Sequence, residues 1–570
     1  MRNPLYAFVL DEISLAPFLM HAILGHEIAL VAVRPVFPPA RRMLLWVANR
    51  WISRARVCWA IDYVPELNRD WRWDRNLYFR NAYGKYESWQ DSYFGLPRPD
   101  GETDAYEYAF NHLTANHVYD KAIEIYVMEA LDRNLAGRHV VKIGMTHDTA
   151  ALYAARFQTP VPCLCRRLRI VDLGLNVVIS IIIILTTAIW MIRRLRLQVR
   201  PENVFCIVDR LGNRQEEFLI DALRDGGEIV SFNRSPAPVS GREISWGEGS
   251  LNPMGFVAGL LEMIGHVWRL WRRHGALTAR HFYIVAGLPR KALLWRCLFN
   301  VYRPEHFFGR DEYNSDHILR GRELARIGAV SHGISGAVYS AYTDVAPNSR
   351  YVAFDHIYVA GTKVIISDRW RKEMKIHPVG SWGFRADRFD AVGPPGDDIL
   401  ISIRIAFENE EMIRITHAIA TAFPDRNVIL QMKPITFLTA AELERLVELY
   451  RGDHPNIVLS DESIYDLVER AKFHISDIST LVAESIHRGA YCFVADVLGH
   501  ETCCYRDFPG LCVGNAVEAV SRLRDIEDGV ADYPRDTYMT LLGLPAATNP
   551  FDVFRENVGL AALPSCSCGR

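Results

Sequence analysis

The run from Ile170 to Ile192, IVDLGLNVVISIIIILTTAIWMI, restricts this chain more than any other feature. Its one charge, Asp172, lies near the start. About 20 consecutive apolar residues are long enough to cross a bilayer as a helix. Arg166, Arg167 and Arg169 precede the run, and Arg193, Arg194 and Arg196 follow it, so the flanking charges leave its orientation open. The competing readings are a buried core helix or a pair of buried strands. A simple span would separate residues 1–165 from 200–570, although both parts read as α/β. Three arrangements remove that conflict: an independent first domain, a re-entrant or interfacial segment, or a second, weaker span. Two other stretches interleave arginine with tryptophan, Ala40–Ala60 and Phe256–Arg273. Each suits a helix lying on anionic lipid, or an amphipathic helix against the protein core.

A chain of 570 residues exceeds what one hydrophobic core supports, so two or more domains are expected. The formal net charge of −2 gives no reason to expect a nucleic-acid partner. The 11 cysteines include Cys163/Cys165, Cys503/Cys504 and Cys566/Cys568, none with the two-residue gap of a zinc knuckle. No metal site is expected, and the soluble parts read as residing in a reducing compartment. The first eleven residues lack a signal peptide's apolar stretch and read as a first strand.

Apolar runs then alternate between strand and helix periods. Tyr6–Leu10, Leu15–Leu24 and Ile28–Val33 read as strand, helix, strand, and Val204–Val208, Glu216–Arg224 and Glu228–Phe232 repeat the pattern. His281–Val285 reads as another strand. The later half is more regular. Ile399–Ile405, Val428–Met432, Ile457–Leu459, Phe473–Ile475 and Tyr491–Ala495 read as strands separated by helices, which marks βαβ units and a parallel sheet.

Three clusters bear chemistry. Ser331-His332-Gly333-Ile334-Ser335-Gly336 reads as a turn after a strand, placing an imidazole where α/β sheets bind ligands. His332 there is a general base or a phosphate partner, and the plainer reading is a loop histidine. Gln431-Met432-Lys433-Pro434 ends a strand, so Lys433 faces a diphosphate or simply solvent. Ser476-Asp477-Ile478-Ser479-Thr480-Leu481-Val482-Ala483-Glu484 opens a helix with Ser479 or Thr480 at its N-cap, where free N–H groups favour an anion. Glu484 shares that face and suits ribose hydroxyls; the plainer reading is a capped helix with a surface acid.

In this order and spacing the clusters resemble surface-polysaccharide glycosyltransferases of GT-B fold, a group that includes capsule and teichoic-acid polymerases. The strand and glycine at Phe354–Gly361, and His377-Pro378-Val379-Gly380-Ser381, fit the same resemblance. It covers about 320–500. It implies two Rossmann-like domains facing a cleft, with a hydrophobic membrane-associated helical insertion in the N-terminal half. Residues 1–345 would form the acceptor-side domain, containing segment 170–192. Residues 346–530 would bind the nucleotide sugar, with the strand at His377 opening that domain, and 531–570 would be a tail. The resemblance assigns Lys433, Ser479, Thr480 and Glu484, with Gly333 and Gly380, to the donor and His332 to catalysis. It implies a metal-independent transferase, with the nucleotide sugar as co-substrate and no further cofactor. The expected acceptor is a lipid-linked or polymeric glycan at the cell membrane, with the catalytic domains cytoplasmic. In teichoic-acid relatives the lysine motif continues into a histidine, whereas here Pro434 precedes Ile435-Thr436. The alternatives are a polyol-phosphate transferase using a cytidine diphosphate donor, a nucleotide-sugar 2-epimerase, and a non-enzymatic membrane protein with a degenerate transferase domain.

Overall fold

The computed structural model describes residues 4–563 except 35, 38–39, 53–55, 64–103, 136–137, 151–152, 154–162, 166–168, 211–213, 234–241, 275–276, 311–313, 336–350, 363–369, 385–395, 405, 433–439, 478, 480, 498–503 and 546–548. The fold is α/β throughout. Where the sequence led us to expect two Rossmann-like sheets, the described residues form three, each wholly parallel.

The first unit holds β1 (Leu5–Leu10), α1 (Leu15–Ile23), β2 (Glu27–Val33), α2 (Arg41–Ile52), β3 (Val57–Trp59), α3 (Ala105–Asn134), β4 (Val140–Ile143) and β5 (Cys163–Cys165). Its strand order is β3-β2-β1-β4-β5. Helix α3 is a strut between units. Its C-terminal half, through Ile123, Val127 and Leu131, closes the core under this sheet. Its N-terminal half, through Tyr106, Ala109 and Phe110, enters a helical core belonging to the next unit. Polar contacts reinforce that junction. The Tyr108 hydroxyl donates to the Val352 carbonyl (3.1 Å), and Thr114 Oγ1 meets His281 Nε2 (3.0 Å).

The middle unit begins with α4 (Arg169–Arg194), so the apolar run is one continuous helix. There follow β6 (Glu202–Arg210), α5 (Arg214–Leu223), β7 (Ile229–Asn233), β8 (Arg242–Ile244), α6 (Pro253–His274), α7 (Ala279–Ala286) and α8 (Leu288–Val301). Then come β9 (Tyr302–Gly309), α9 (Asp316–Ala325), β10 (Val330–Ile334), β11 (His356–Val359) and β12 (Lys375–Pro378), and the sheet order is β12-β11-β10-β9-β6-β7-β8. Two expectations are corrected here. His281–Val285 lies in helix α7, whose start is held by Asp172 Oδ1 accepting from the Ala279 N–H (2.9 Å). The strand at His377 pairs with β11 in the middle sheet and does not open the last unit.

The third unit holds β13 (Asp398–Ile403), α10 (Glu410–Ala422), β14 (Val428–Met432), α11 (Ala440–Arg451), β15 (Ile457–Leu459), α12 (Ile464–Arg470), β16 (Ala471–Ser476), α13 (Leu481–Arg488), β17 (Tyr491–Ala495), β18 (Cys512–Val513) and α14 (Ala516–Glu527). Its order is β15-β14-β13-β16-β17-β18. Burial on both faces explains the run Ile399–Ile403, apolar except for Ser402. The expected tail instead carries α15 (Arg535–Leu542), whose Tyr538 and Leu542 join the third core, and α16 (Pro550–Asn557). Helix α16 returns to the middle sheet. Phe551 and Phe554 pack with Val208, Phe308 and Tyr358, and Arg555 clasps Asp225 (2.5 and 2.6 Å).

Candidate functional site

In an open parallel sheet the crevice lies outside the carboxyl ends of the strands, where the chain reverses its direction of travel across the sheet. In the third sheet the chain moves from β13 through β14 to β15, then restarts on the other side with β16, so the switch falls between β13 and β16. A cleft of about 520 Å³ opens there. Its walls are the strand ends Ser402–Arg404, Gln431–Met432, Leu459–Asp461 and Ser476–Asp477, with Ser479, Leu481 and Glu484 from the start of α13 and Tyr465 from α12.

The floor is fixed by hydrogen bonds. Ser402 Oγ meets His474 Nε2 (2.8 Å) and donates to Ser476 Oγ (3.0 Å), while His474 Nδ1 meets Ser485 Oγ (2.8 Å). Complete burial holds the His474 pKa down at about 3, so the ring is neutral and serves as a strut. Asp477 is buried, and its Oδ2 accepts from the N–H groups of Arg404 (2.8 Å) and Ala406 (3.0 Å). That carboxylate ties the turn after β13 to the end of β16 and sets where Arg404 enters the cleft. Ser479 Oγ accepts from the Leu481 N–H (3.2 Å), so Ser479 caps α13 as its sequence position suggested. Among the described lining residues Arg404 is the one cation.

Glu484 is bonded by Ser381 and Tyr465, and burial pushes its carboxyl up to about 7. Ser381 belongs to the crossing segment Val379–Phe384, which runs close against the third unit. Gly380 has φ +71°, and a Cβ there would lie 2.2 Å from the His487 ring; a Cβ on Gly383 would lie 2.1 Å from the Tyr465 ring. Only glycine accommodates both approaches.

The middle sheet has its own switch between β6 and β9. Gln215, just after β6, donates to the Tyr465 hydroxyl (2.5 Å), and Arg310, just after β9, donates to Gln215 Oε1 (3.1 Å) and lies over the Trp382 ring (4.9 Å). The two switch-point edges therefore face each other, joined through Gln215, Arg310, Tyr465 and Glu484. An arrangement of this kind can present two substrates to one another, one from each sheet.

The sequence-predicted residues divide. Ser479 and Glu484 line the cleft. Lys433 and Thr480 lie outside the described residues. Gly380 shapes the crossing segment and does not line the cleft. His332 and Gly333 are corrected: they sit within strand β10, not in a turn after it. His332 is completely buried, its Nε2 meets His306 Nδ1 (3.1 Å), its Nδ1 meets the Tyr358 hydroxyl (2.9 Å), and the ring stacks on Phe308 (4.4 Å). Burial and the neighbouring histidines hold its pKa well below the usual range. A Cβ on Gly333 would lie 2.4 Å from the Phe354 ring, so that glycine makes room for packing. Reasoning from sequence missed Arg404, Tyr465, Gln215 and Arg310. Arg404 was detectable, because it follows the buried strand at which the sheet order reverses.

No family profile matches the chain, and no curated protein matches it. Among solved structures, UDP-GlcNAc 2-epimerase from Methanocaldococcus jannaschii is similar at 11% identity and TM-score 0.38, over 63% of this chain and 100% of that one. UDP-GlcNAc 2-epimerase from Neisseria meningitidis, bound to UDP-GlcNAc, is similar at 10% identity and TM-score 0.35, over 63% and 99%. The wall teichoic acid polymerase TagF is similar at 10% identity and TM-score 0.37, over 63% and 90%. At that distance these likenesses assign neither activity nor substrate, and the chemistry rests on the cleft itself.

Proposed function

We propose that the chain is a transferase that takes a glycosyl group from a nucleotide-activated sugar. The observation that carries this reading is the pair of switch-point edges facing one another, with a lined cleft on the third sheet. The nucleotide occupies the β13/β16 crevice. Its diphosphate lies at the N-terminus of α13, where the N–H groups and the capping Ser479 favour an anion, and Arg404 supplies the opposing charge. Glu484 accepts hydrogen bonds from the ribose hydroxyls. An acceptor hydroxyl approaches from the middle sheet, past Gln215 and Arg310. Its oxygen bonds to the anomeric carbon while the bond from that carbon to the diphosphate oxygen breaks, and the nucleoside diphosphate leaves with the electron pair and takes up the hydroxyl's proton. Donors preorganised at the leaving oxygen stabilise the charge that develops there. The acceptor proposed is a lipid-linked or polymeric glycan. His332 takes no part in this scheme, since its ring is enclosed within the middle sheet.

The test is release of free nucleoside diphosphate from a panel of nucleotide sugars incubated with the purified chain and a membrane extract. The reading expects turnover with one nucleotide class and at least a tenfold loss in Arg404→Gln. Absence of turnover with every donor, by a protein that retains its native melting transition, contradicts it.

A further inference from the structure

Helix α4 has inverted polarity. Four of its polar side chains, Asp172, Asn176, Ser180 and Thr187, are buried, while Ile170, Val177, Val178, Ile181, Leu185, Ile189 and Ile192 are each 47–72% exposed; the exposed Thr186 satisfies its hydroxyl on the helix's own Ile182 carbonyl (2.7 Å). The polar stripe is held by the protein. Asp172 Oδ1 accepts from the Ala279 N–H (2.9 Å), Asn176 donates to the Leu277 carbonyl (2.9 Å), and Ser180 Oγ accepts from Trp271 Nε1 (3.0 Å). A helix facing water shows the opposite pattern.

Helix α6 repeats the exposure. Met254, Val257, Leu261, Ile264 and Trp268 are 45–80% exposed at helical spacing. It packs antiparallel to α4: Gly259 sits by Met191 and Trp271 by Ser180, and Leu195 bridges to Leu251 where the end of α4 meets the start of α6. Both helices rest on one underlayer. Ile179 and Ile183 of α4 share a core with Met263 and Val267 of α6, with Phe282 of α7 and with Ala292 of α8. Their outward faces therefore form one apolar surface, wider than the scattered apolar residues of an ordinary soluble surface. Arginines rim both ends. Arg193 and Arg196 lie at the end of α4, and Arg269, Arg272 and Arg273 at the other end on α6, with Arg269 and Arg273 in loose contact with Asp104 (3.7 Å) and Glu107 (3.8 Å).

We infer that the α4/α6 face docks on an anionic lipid leaflet, with both helices lying in its plane and neither crossing it. Apolar side chains enter the acyl boundary, and the arginines meet headgroup phosphates. Length and composition alone would let α4 span a bilayer. The structure opposes that reading. The helix enters from the first unit and leaves into the middle unit, and α3 locks those two units into one body through the His281 and Val352 contacts. The buried polar side chains, moreover, face protein on one side only. This inference stands independently of the nucleotide reading.

The test is co-flotation of the full chain with vesicles of phosphatidylcholine, with and without 30% phosphatidylglycerol, a composition chosen for the experiment on the order of natural anionic leaflets. The comparison variant is Leu185→Glu/Ile189→Glu/Leu261→Glu, whose sites are solvent-exposed, so its melting transition should match the parent. The inference expects the parent to float at least tenfold better with the anionic vesicles and the variant to stay behind. Equal flotation of parent and variant overturns it, as does a parent that binds neither vesicle. A parent that forms dimers abolished by the same substitutions, without floating, also overturns it and makes a second copy the occupant. For orientation, the full chain carrying an epitope tag at each end is expressed in a bacterial host. On sealed inside-out vesicles antibodies should reach both tags; access to only one before detergent overturns the in-plane placement.

Discussion

Acidification to pH 5.5 should destabilise the fold by an amount that the buried histidines set. His266, His281, His332, His474 and His487 are all buried, and burial is the first cause that lowers each pKa, to about 4 for His266 and His487 and about 3 for His474. A group whose folded pKa lies below its unfolded value contributes stability above the unfolded pKa and loses it as pH falls. For histidine the loss begins near pH 6.5. At pH 5.5 each ring that is neutral when folded and titrates normally when unfolded costs about 1.4 kcal/mol, and five cost about 7 kcal/mol. Glu484 acts with the opposite sign. Its folded pKa of about 7 lies above the unfolded value, so folding gains about 2 kcal/mol over the same interval. The net loss is about 5 kcal/mol, the same order as the stability of one domain. Calorimetry from pH 7.5 to 5.5 should show the melting temperature falling by roughly 10 °C or more. His474→Asn should lower the midpoint at pH 7.5 but flatten its pH dependence by about one proton. A melting temperature independent of pH over this range, or an unchanged slope in the variant, would refute the reasoning.

Asp477→Ala removes the acceptor for two buried N–H groups and should lower stability by about 2–3 kcal/mol while weakening nucleotide binding, read by chemical denaturation and calorimetric titration. Gly380→Ala combines a left-handed backbone with a clash against the His487 ring, so a loss of about 1–3 kcal/mol is expected, and an unchanged midpoint would contradict the crossing-segment geometry. Tyr465→Phe cuts the hydroxyl's bonds to Gln215 across the cleft and to Glu484. Turnover should fall about tenfold or more, a larger change than that in donor affinity, since each of the two hydrogen bonds contributes about 1 kcal/mol. The reverse split in a steady-state assay would place Tyr465 in donor binding alone.

The third unit was legible because strands covered on both faces are written as short, mostly apolar runs, and Ile399–Ile403, Val428–Met432 and Phe473–Ile475 have that form, each with one polar residue, Ser402, Gln431 and His474, that faces the site or its floor. Strand β10 was not, since its Ser331-His332-Gly333 carries polar groups whose burial depends on His306, Phe354 and Tyr358 from distant segments. His281–Val285 is five residues with no period, and the contact that caps its helix comes from Asp172, far away in sequence. The first sheet was read only as an opening strand, helix and strand, with an independent first domain one of three arrangements, because β3 and β5 span three residues each. At the site, the capped turn at Ser479 and Glu484 is local and could be read directly. The bridge from Gln215 and Arg310 to Tyr465 joins residues about 250 and 155 apart and needs the fold to reveal it.

On the proposed function, the β13/β16 crevice holds a nucleoside diphosphate. Isothermal titration of uridine, cytidine, guanosine and adenosine diphosphates into the parent and Glu484→Gln tests it most directly. The parent should bind one of these nucleotides with micromolar to low-millimolar affinity and the variant at least tenfold more weakly, with both proteins melting as folded. No heat from any nucleotide at millimolar concentration, or equal affinity in parent and variant, would contradict it.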